Sequence, residues 1–270
     1  MIDTHQHNWL LHQRVPYAWI TPGTILYRDF PAEEIKPQMD AAGVAACVLV
    51  EADNSIAELE WMLEQVNKYD HILGVVGGGE LFDPQVPLNL ERFAKNPAYK
   101  GVRIYWEEPG EDLGALETSL AFLAQHSLSC DIVMKPQAYT EILATLTRHP
   151  NVQFILDHFA GVQHVPDGAQ AWAYALKPLA DLPNTVLKLS GYLTAAHPPT
   201  LAIIQPYFEI ALEYFGADRL LYGSDYPVCT TLGQIYGDTV ALLRDLIAPL
   251  SAVEQDAIMQ GTAKRVYRLE

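Results

Sequence analysis

The sequence has few basic residues, with 17 Lys and Arg against 33 Asp and Glu and a net charge of −16 when histidine is neutral. Nucleic acids and anionic membrane surfaces are bound through Lys and Arg, so this balance argues against both as partners. Solubility is a sufficient explanation of the acidity, which therefore indicates nothing about an active site.

Cysteine is also scarce. The three cysteines, Cys47, Cys130 and Cys229, are odd in number, widely spaced and form no CxxC pair. This usage predicts no disulfide framework and a reducing, cytoplasmic location. No basic segment followed by an apolar stretch opens the chain, so no secretory signal is predicted. No apolar run approaches the roughly 18 residues of a membrane span.

No linker, low-complexity tract or run of like charges divides the 270 residues, half of which are hydrophobic. We therefore predict one domain over residues 1–270. Its length suits a single barrel of eight strands and eight helices, which takes about 250 residues.

Eight strand-length apolar or β-branched segments recur along the chain, separated by helix-like segments. A run such as VAACVLV is almost continuously apolar, as in strands that are buried on both faces. Strands are predicted at 2–7, 44–51, 71–76, 100–105, 129–135, 152–158, 185–190 and 219–225. Helices are predicted at 55–67, 117–126, 140–149, 169–180, 206–215, 235–247 and from Ser251 to Tyr267, with capping boxes at Ser55 and Ser251.

This alternation predicts an α/β fold, a parallel eight-stranded (β/α)8 barrel with a lid-like loop at 8–30 after the first strand. The alternative, an open doubly wound sheet, usually carries a glycine-rich phosphate turn after its first strand. Here that strand ends in His-Gln-His-Asn-Trp, and the glycines of 74–80 lack GxGxxG spacing.

Titratable residues stand at the ends of several predicted strands. His5 and His7 point to the same side of the first strand, which makes them a natural chelating pair. His158 ends the sixth strand and Asp225 the eighth. Because the carboxyl ends of barrel strands form the catalytic mouth, we expect the four side chains to converge there.

These strand ends resemble those of the amidohydrolase superfamily, and the finer pattern resembles its sugar-lactonase branch, the fuconolactonase and rhamnonolactonase group. The resemblance covers nearly the whole chain. It is carried by IDTHQHNW at 2–9, KGVRIYW at 100–106, ILDHFAG at 155–161, LKLSGYLTAA at 187–196 and FGADRLLYGSDYPVC at 215–229.

The resemblance implies roles for the same residues. Asp225 is expected to be the general acid/base that activates water and then protonates the leaving alkoxide. His5, His7 and Asp225 resemble the ligands of one divalent metal ion. His158 resembles a histidine that binds the metal or polarises the substrate carbonyl.

The sequence departs from the relatives that hold two metals. Those place a lysine or glutamate on the fourth strand and a histidine on the fifth. Here the fourth strand carries Arg103 and Tyr105, and the fifth carries Asp131, Lys135 and Gln137. We predict one divalent ion, zinc or manganese, or none.

Substrate contacts are predicted from the residues near the mouth. Arg103, Lys135 and Lys188 could bind a carboxylate, although both lysines would equally serve by pairing with acidic neighbours inside the barrel. Tyr105 shares a strand face with Arg103. Three aromatic residues are candidates for stacking on a sugar ring, namely Trp9, Trp106 and Tyr226.

Other reactive side chains are assigned no chemistry. Cys229 is interpreted as a small packed residue rather than a nucleophile. The remaining histidines are interpreted as surface or loop residues: His12, His71, His126, His149, His164 and His197. Of these, His164 and His197 are expected in loops that face the mouth.

The resemblance implies hydrolysis of a lactone, in particular a sugar aldonolactone, to the open hydroxy acid. One alternative is an amidohydrolase-type decarboxylase of an unsaturated or aromatic carboxylic acid. Another is an inactive barrel that binds a small sugar acid or a partner protein. The ring size, the metal and the oligomeric state stay open.

Overall fold

Eight parallel strands follow one another around a sheet in the order β1 to β8, each paired with the next. The computed structural model describes residues 1–11, 13, 15–109, 113–162, 168–191 and 199–270. The strands are β1 Ile2–Gln6, β2 Ala46–Val50, β3 Ile72–Val76, β4 Tyr99–Trp106, β5 Ser129–Met134, β6 Gln153–Leu156, β7 Thr185–Leu189 and β8 Leu220–Tyr222. All eight predicted strands are confirmed, with ends that shift by up to three residues.

Hydrogen bonds between the first and last strands close this sheet into a barrel. The Asp225 amide donates to the His5 carbonyl at 2.8 Å, and the His7 amide donates to the Tyr226 carbonyl at 2.7 Å. Closure brings the residues after β1 and β8 side by side. The predicted (β/α)8 barrel is therefore confirmed.

Ten helices surround or cap the strands in the described part of the chain. They are α1 Ala32–Ala42, α2 Ile56–Lys68, α3 Val86–Leu90, α4 Leu113–His126, α5 Tyr139–Arg148, α6 Gly168–Ala180, α7 Leu201–Phe215, α8 Tyr236–Ile247, α9 Ala252–Asp256 and α10 Thr262–Tyr267. Short 3-10 turns lie at Pro136–Ala138, Ala217–Arg219 and Val228–Leu232, and a left-handed turn at His158–Gly161. None of these described helices is long and apolar enough to cross a membrane.

Helices α1 and α3 were not predicted from the sequence. Helix α1 contains Pro37, which lacks the amide hydrogen that a helix interior needs and so reads as a break. Its buried residues nevertheless follow helical spacing, at Ala32, Ile35, Met39 and Ala42. Burial of this face against the barrel outweighs the cost of the proline.

One predicted capping box forms and the other forms only in part. At α9, Ser251 and Glu254 cap each other as predicted. At α2, Ser55 accepts from the Glu58 amide at 3.3 Å, but the Glu58 carboxylate turns away to the amides of Ala52 and Asp53. The helix predicted from Ser251 to Tyr267 is also interrupted, by a π-helical turn at Ala257–Gly261.

Two hydrophobic clusters hold the elements together. The larger one fills the layer between the strands and the outer helices. The smaller lies inside the barrel, where strand residues such as Val48 and Val186 pack against Val266, Tyr267 and Leu269 at the end of the chain. Helix α10 thus closes the amino-terminal end of the barrel, and the carboxyl end stays open.

All three cysteines are free and buried, and the buried Cys229 agrees with its interpretation as a packed residue. The loop at 8–30 is tied at its base by a bridge between Trp9 and Phe30.

The close approach of β4 to β5 yields a test of the barrel packing. A side chain at Gly101 would collide with Ser129, whose carbonyl oxygen would lie 2.6 Å from the new Cβ. We expect Gly101→Ala to lower the free energy of unfolding by about 1–3 kcal/mol, measured by urea denaturation. Gly237→Ala in α8 is the control, because no atom lies within 4 Å of its added Cβ. Equal stability of the two variants would contradict this packing.

Candidate active site

A cavity of about 520 Å³ opens at the carboxyl end of the barrel, where the chemistry of such barrels takes place. Its lining comes from residues at the ends of β1, β2, β4, β6 and β8 and from the loop after β1. The lining residues are His7, Trp19, Ala52, Asp53, Asn54, Arg103, Tyr105, His158, Asp225 and Val228. Five of them are residues that the sequence analysis selected.

The two histidines of β1 and the aspartate after β8 lie together. Asp225 Oδ1 is 3.4 Å from His7 Nε2 and 3.8 Å from His5 Nε2. His7 Nδ1 lies 2.8 Å from the Val50 carbonyl, which fixes a proton on Nδ1. In neutral His7, the Nε2 lone pair therefore faces the Asp225 carboxylate.

The His7 Nε2 lone pair and the Asp225 carboxylate are both hydrogen-bond acceptors and repel each other. A positive charge between them would remove this repulsion. A second proton on His7 would supply it, and so would a metal ion. His5 Nε2 is buried and has no hydrogen-bond partner in the described part of the chain. Two imidazole nitrogens and a carboxylate oxygen make a donor set that suits one divalent transition metal. The residues present thus fit such an ion.

Asp225 carries a negative charge at neutral pH. Burial raises the pKa of this carboxyl group, but His158, His7 and His5 outweigh burial and lower the pKa well below its usual range. An ionised carboxylate inside a cavity can accept a proton from water.

His158 stands at the start of a left-handed turn, with φ of 53°. Its Nδ1 lies 2.9 Å from Ser190 Oγ and its Nε2 lies 3.3 Å from Arg103 Nη2. Burial lowers the pKa of this imidazole, and the guanidinium can only donate, so Nε2 carries a lone pair. A Cβ on Gly191 would approach the ring to 2.8 Å, which is why glycine follows β7 here.

Arg103 is held from three sides and reaches the cavity. Its Nε pairs with Asp157 at 3.2 Å, and its Nη1 donates to the Tyr105 hydroxyl at 2.9 Å and to the Glu51 carbonyl at 3.3 Å. The guanidinium is buried, charged and oriented before any ligand arrives.

Lys188 lies beneath the cavity and does not line it. Its ammonium pairs with Asp131 at 2.7 Å and Asp157 at 2.8 Å, and lies 3.2 Å from His5 Nδ1. The Tyr267 hydroxyl donates to Asp131 at 2.6 Å. Lys188 thus pairs with acidic residues inside the barrel, which was the alternative to a role in binding a substrate carboxylate.

Several other predicted contacts also lie off the cavity lining. Lys135 pairs with Glu107 at the surface, at 2.6 Å. Trp106 is buried against Glu141. Trp9 is buried with its indole N–H donated to the Arg28 carbonyl, and Tyr226 is buried with its hydroxyl near Glu34. A substrate role for any of these would need a rearrangement.

Trp19, Asp53 and Asn54 line the cavity and were not selected from the sequence. Trp19 packs edge-on against Trp9 at 5.6 Å and donates its indole N–H to the Ala52 carbonyl at 2.7 Å. The aromatic content of the loop at 8–30 was the available signal, but it did not distinguish the supporting tryptophan from the one that faces the cavity.

The other histidines and Cys229 take no part in this cavity as described. His126 and His149 lie against Glu91 and Glu117, and His71 is buried. Burial raises the pKa of the Cys229 thiol well above its usual value, which opposes a nucleophilic role. His12, His164 and His197 lie outside the described residues.

The amidohydrolase family model matches residues 2–269 of this sequence. The chain belongs to the amidohydrolase family.

Within the amidohydrolase family, the chain is similar to two curated L-fucono-1,5-lactonases. The one from Burkholderia ambifaria is 31% identical over 249 residues, which cover 90% of this chain and 85% of the relative. The one from Burkholderia multivorans is 30% identical over 286 residues, which cover 99% of this chain and 96% of the relative.

Solved amidohydrolase structures share the fold. A crystal structure of an amidohydrolase from Burkholderia multivorans with bound HEPES superposes with a TM-score of 0.88 at 28% identity, covering 100% of this chain and 99% of the other. A second crystal form contains zinc and gives a TM-score of 0.87 at 29% identity, with the same coverage.

Glu58 holds the part of the cavity wall that follows β2. It is buried, and its carboxylate accepts the amides of Ala52 at 3.0 Å and Asp53 at 2.5 Å. Tyr17 of the loop at 8–30 hydrogen-bonds to the same carboxylate. Burial raises the pKa of Glu58 to about 8, although these hydrogen bonds lower it.

This raised pKa makes stability depend on pH. Protonated Glu58 is favoured in the folded chain, so its contribution is complete below pH 4.5 and is lost as the pH rises to about 8. We expect Glu58→Gln to reduce the fall in unfolding free energy over that range, by up to about 4 kcal/mol. Denaturation curves at several pH values measure this, with Glu60→Gln of α2, at a partly exposed side chain, as the control. Parallel pH curves for parent and Glu58→Gln would contradict it.

Proposed function

We propose that this amidohydrolase opens the lactone ring of a sugar aldonolactone to give the hydroxy acid. One observation carries the proposal: the ionised Asp225 lies beside His7 in a cavity that also contains the fixed cation Arg103. Hydrolysis needs a base for water and a positive charge near the carbonyl oxygen, and these groups provide both. The similarity to L-fucono-1,5-lactonases supports the choice of a sugar lactone.

The reaction follows from the charges of the cavity residues. Asp225 accepts a proton from water as the oxygen attacks the ring carbonyl. The negative charge then grows on the carbonyl oxygen, where Arg103 offers the one Nη2 hydrogen that its described contacts leave available. Tyr105 accepts its hydrogen bond from Arg103, so its own hydroxyl hydrogen is directed elsewhere and can bind a substrate oxygen. Asp225 returns the proton to the ring oxygen as the ring opens.

The proposal includes one divalent ion, zinc or manganese. His5, His7 and Asp225 would hold it, with His158 adjacent; the other three-residue group of the site is His5, Asp157 and His158. Such an ion polarises a carbonyl and lowers the pKa of bound water to about 7. The unpartnered His5 Nε2 and the zinc in the related Burkholderia crystal support this cofactor.

The substrate is proposed to be a sugar because of the cavity wall that Trp19 and the residues after β2 form. Trp19 is 47% exposed and its ring is fixed through the Ala52 carbonyl. A fixed indole face packs against the C–H face of a sugar ring. Asp53 and Asn54 stand in the same wall and offer polar groups for hydroxyls. A cytoplasmic location and the absence of a nucleic-acid partner stay predictions.

Lactone hydrolysis is tested with a pH indicator on a panel of 1,4- and 1,5-sugar lactones. We expect the parent to release acid faster than spontaneous hydrolysis, and Asp225→Asn to lower kcat by at least about 100-fold because the base is lost. Chelation should reduce the rate, and added zinc or manganese should restore it. Tyr174→Ala, at an exposed residue of α6 that does not line the cavity, is the control and should retain kcat.

Carbon dioxide release from aromatic or unsaturated acids, without turnover of any lactone, would favour the decarboxylase alternative. Binding of sugar acids with no turnover under any metal, and unchanged in Asp225→Asn, would favour an inactive barrel.

Trp19 gives a test of sugar recognition. We expect Trp19→Ala to raise KM for the best sugar lactone about fivefold, because a stacking contact is worth about 1 kcal/mol, while kcat changes little. Trp19→Phe should restore part of the loss. Tyr174→Ala, an aromatic deletion at a residue that is 86% exposed on α6, is the control. An unchanged KM in Trp19→Ala would rule out the stacking contact.

A further inference from the structure

The end of the barrel opposite the catalytic cavity holds a second cavity, of about 470 Å³. It lies where β4 begins and where the chain leaves α10. Lys95, Lys100, Arg268 and His126 are in its lining, and Glu270 is the one carboxylate residue there. The proposed lactone chemistry uses none of these residues.

Lys100 is the most unusual member of this group, because it is only 6% exposed. Its ammonium donates to the Arg268 carbonyl at 3.2 Å. In the described part of the chain, neither Lys95, Lys100 nor Arg268 forms an ion pair with a carboxylate. A buried ammonium that lacks a counter-ion is costly, since water no longer solvates its charge.

The backbone is shaped to admit this lysine. A Cβ on Gly74 would lie 2.5 Å from Lys100 Cγ and 2.7 Å from Lys100 Cε, so glycine is needed in β3 for the lysine stem to lie against it. The ammonium is thereby directed to Arg268 at the cavity, instead of extending into solvent as most lysines do.

The cavity is lined mainly by positively charged side chains, although the chain as a whole is negatively charged. With 17 basic residues against 33 acidic ones, three unpaired cations in one cavity do not follow from composition. Burial and then the charge of Arg268 lower the pKa of Lys100, and Glu270 only partly offsets them. Like charges gathered in a partly enclosed space repel one another, and a bound anion relieves this repulsion.

We propose that this cavity binds a phosphoryl group, between Lys100 and Arg268 and with Lys95 at its edge. A tetrahedral dianion accepts several charge-assisted hydrogen bonds from an ammonium and a guanidinium, which is the combination present. The volume exceeds that of inorganic phosphate, so the same site would also accept the phosphate of a small metabolite. Binding there stabilises the folded chain without occupying the catalytic cavity.

Thermal unfolding in sodium phosphate, compared with sodium chloride at equal ionic strength, tests the proposal. For a ligand at about 20 times its Kd, we expect phosphate to raise the Tm of the parent by roughly 3 °C. Lys100→Met should abolish this rise in Tm. The variant is expected to fold normally, because the substitution removes an uncompensated buried charge. Arg268→Gln, at an exposed position, is the second variant and should lose most of it.

Two controls locate the effect. Lys177→Met removes an exposed lysine of α6 and should keep the increment. Arg103→Met removes the cation of the catalytic cavity, and it should also keep the increment even though lactone turnover falls. Loss of the increment in Arg103→Met, with retention in Lys100→Met, would place phosphate in the catalytic cavity and overturn the proposal.

A crystal soaked in selenate gives a direct test, because an anomalous peak between Lys100 and Arg268 would locate the oxyanion. Calorimetry with phosphate and with a sugar phosphate then separates the sources of the group: tighter binding of the sugar phosphate indicates a metabolite, and equal binding indicates the free ion. The site would be refuted if phosphate did not raise the Tm of the parent more than chloride does. It would also be refuted if phosphate raised the Tm of Lys100→Met and Arg268→Gln as much as that of the parent.

Discussion

The active end of this barrel depends on one buried ion cluster. Lys188 of β7 pairs with Asp131 of β5 and with Asp157 after β6, and all three side chains are fully buried. Although burial opposes it, Asp131 and Asp157 raise the pKa of Lys188. Burial likewise disfavours ionised Asp157, but Lys188, His5 and Arg103 lower its pKa well below the usual range. Removal of one partner would leave an uncompensated charge in the barrel.

The catalytic groups are positioned through this cluster. Asp157 pairs with Arg103 on one side and lies 3.5 Å from His5 Nδ1 on the other, so one carboxylate orients both the cation and a candidate metal ligand. His5 Nδ1 also lies 3.2 Å from the Lys188 ammonium, so Asp157 and Lys188 together surround the ring nitrogen opposite Nε2, an arrangement in which supporting residues tune a ligand. Tyr267 anchors the cluster from below. The fold and the site thus share one set of contacts.

The sequence was sufficient for the strands and for the groups at their ends. Continuous apolar runs mark strands buried on both faces, and His5, His7, His158 and Asp225 do meet at one mouth. The sequence was insufficient for residues whose role depends on how far the side chain lies below the barrel mouth. Lys188 and Arg103 look alike as cations at strand ends, yet one is sealed beneath His5 and the other reaches the cavity.

Loop positions were the other gap. Trp9 and Trp19 lie in the same aromatic loop, and only the tertiary contact of Trp19 with the Ala52 carbonyl turns that ring toward the cavity. Helix α1 was hidden by Pro37, whose local cost is outweighed by the burial of Ile35 and Met39. In each case packing between distant segments decides the outcome, and no local pattern records it.

The two ends of the barrel differ in how buried cations are paired. At the catalytic end, Arg103 and Lys188 each have an aspartate within 3.2 Å, so their charges are fixed in place and balanced before a substrate binds. At the other end, Lys100 is buried beside Arg268 and its hydrogen bond goes to a carbonyl. Since the chain carries 33 acidic residues, acids were available to balance that end too. A buried lysine that forms no ion pair with a carboxylate therefore fits the anion proposed for this end of the barrel.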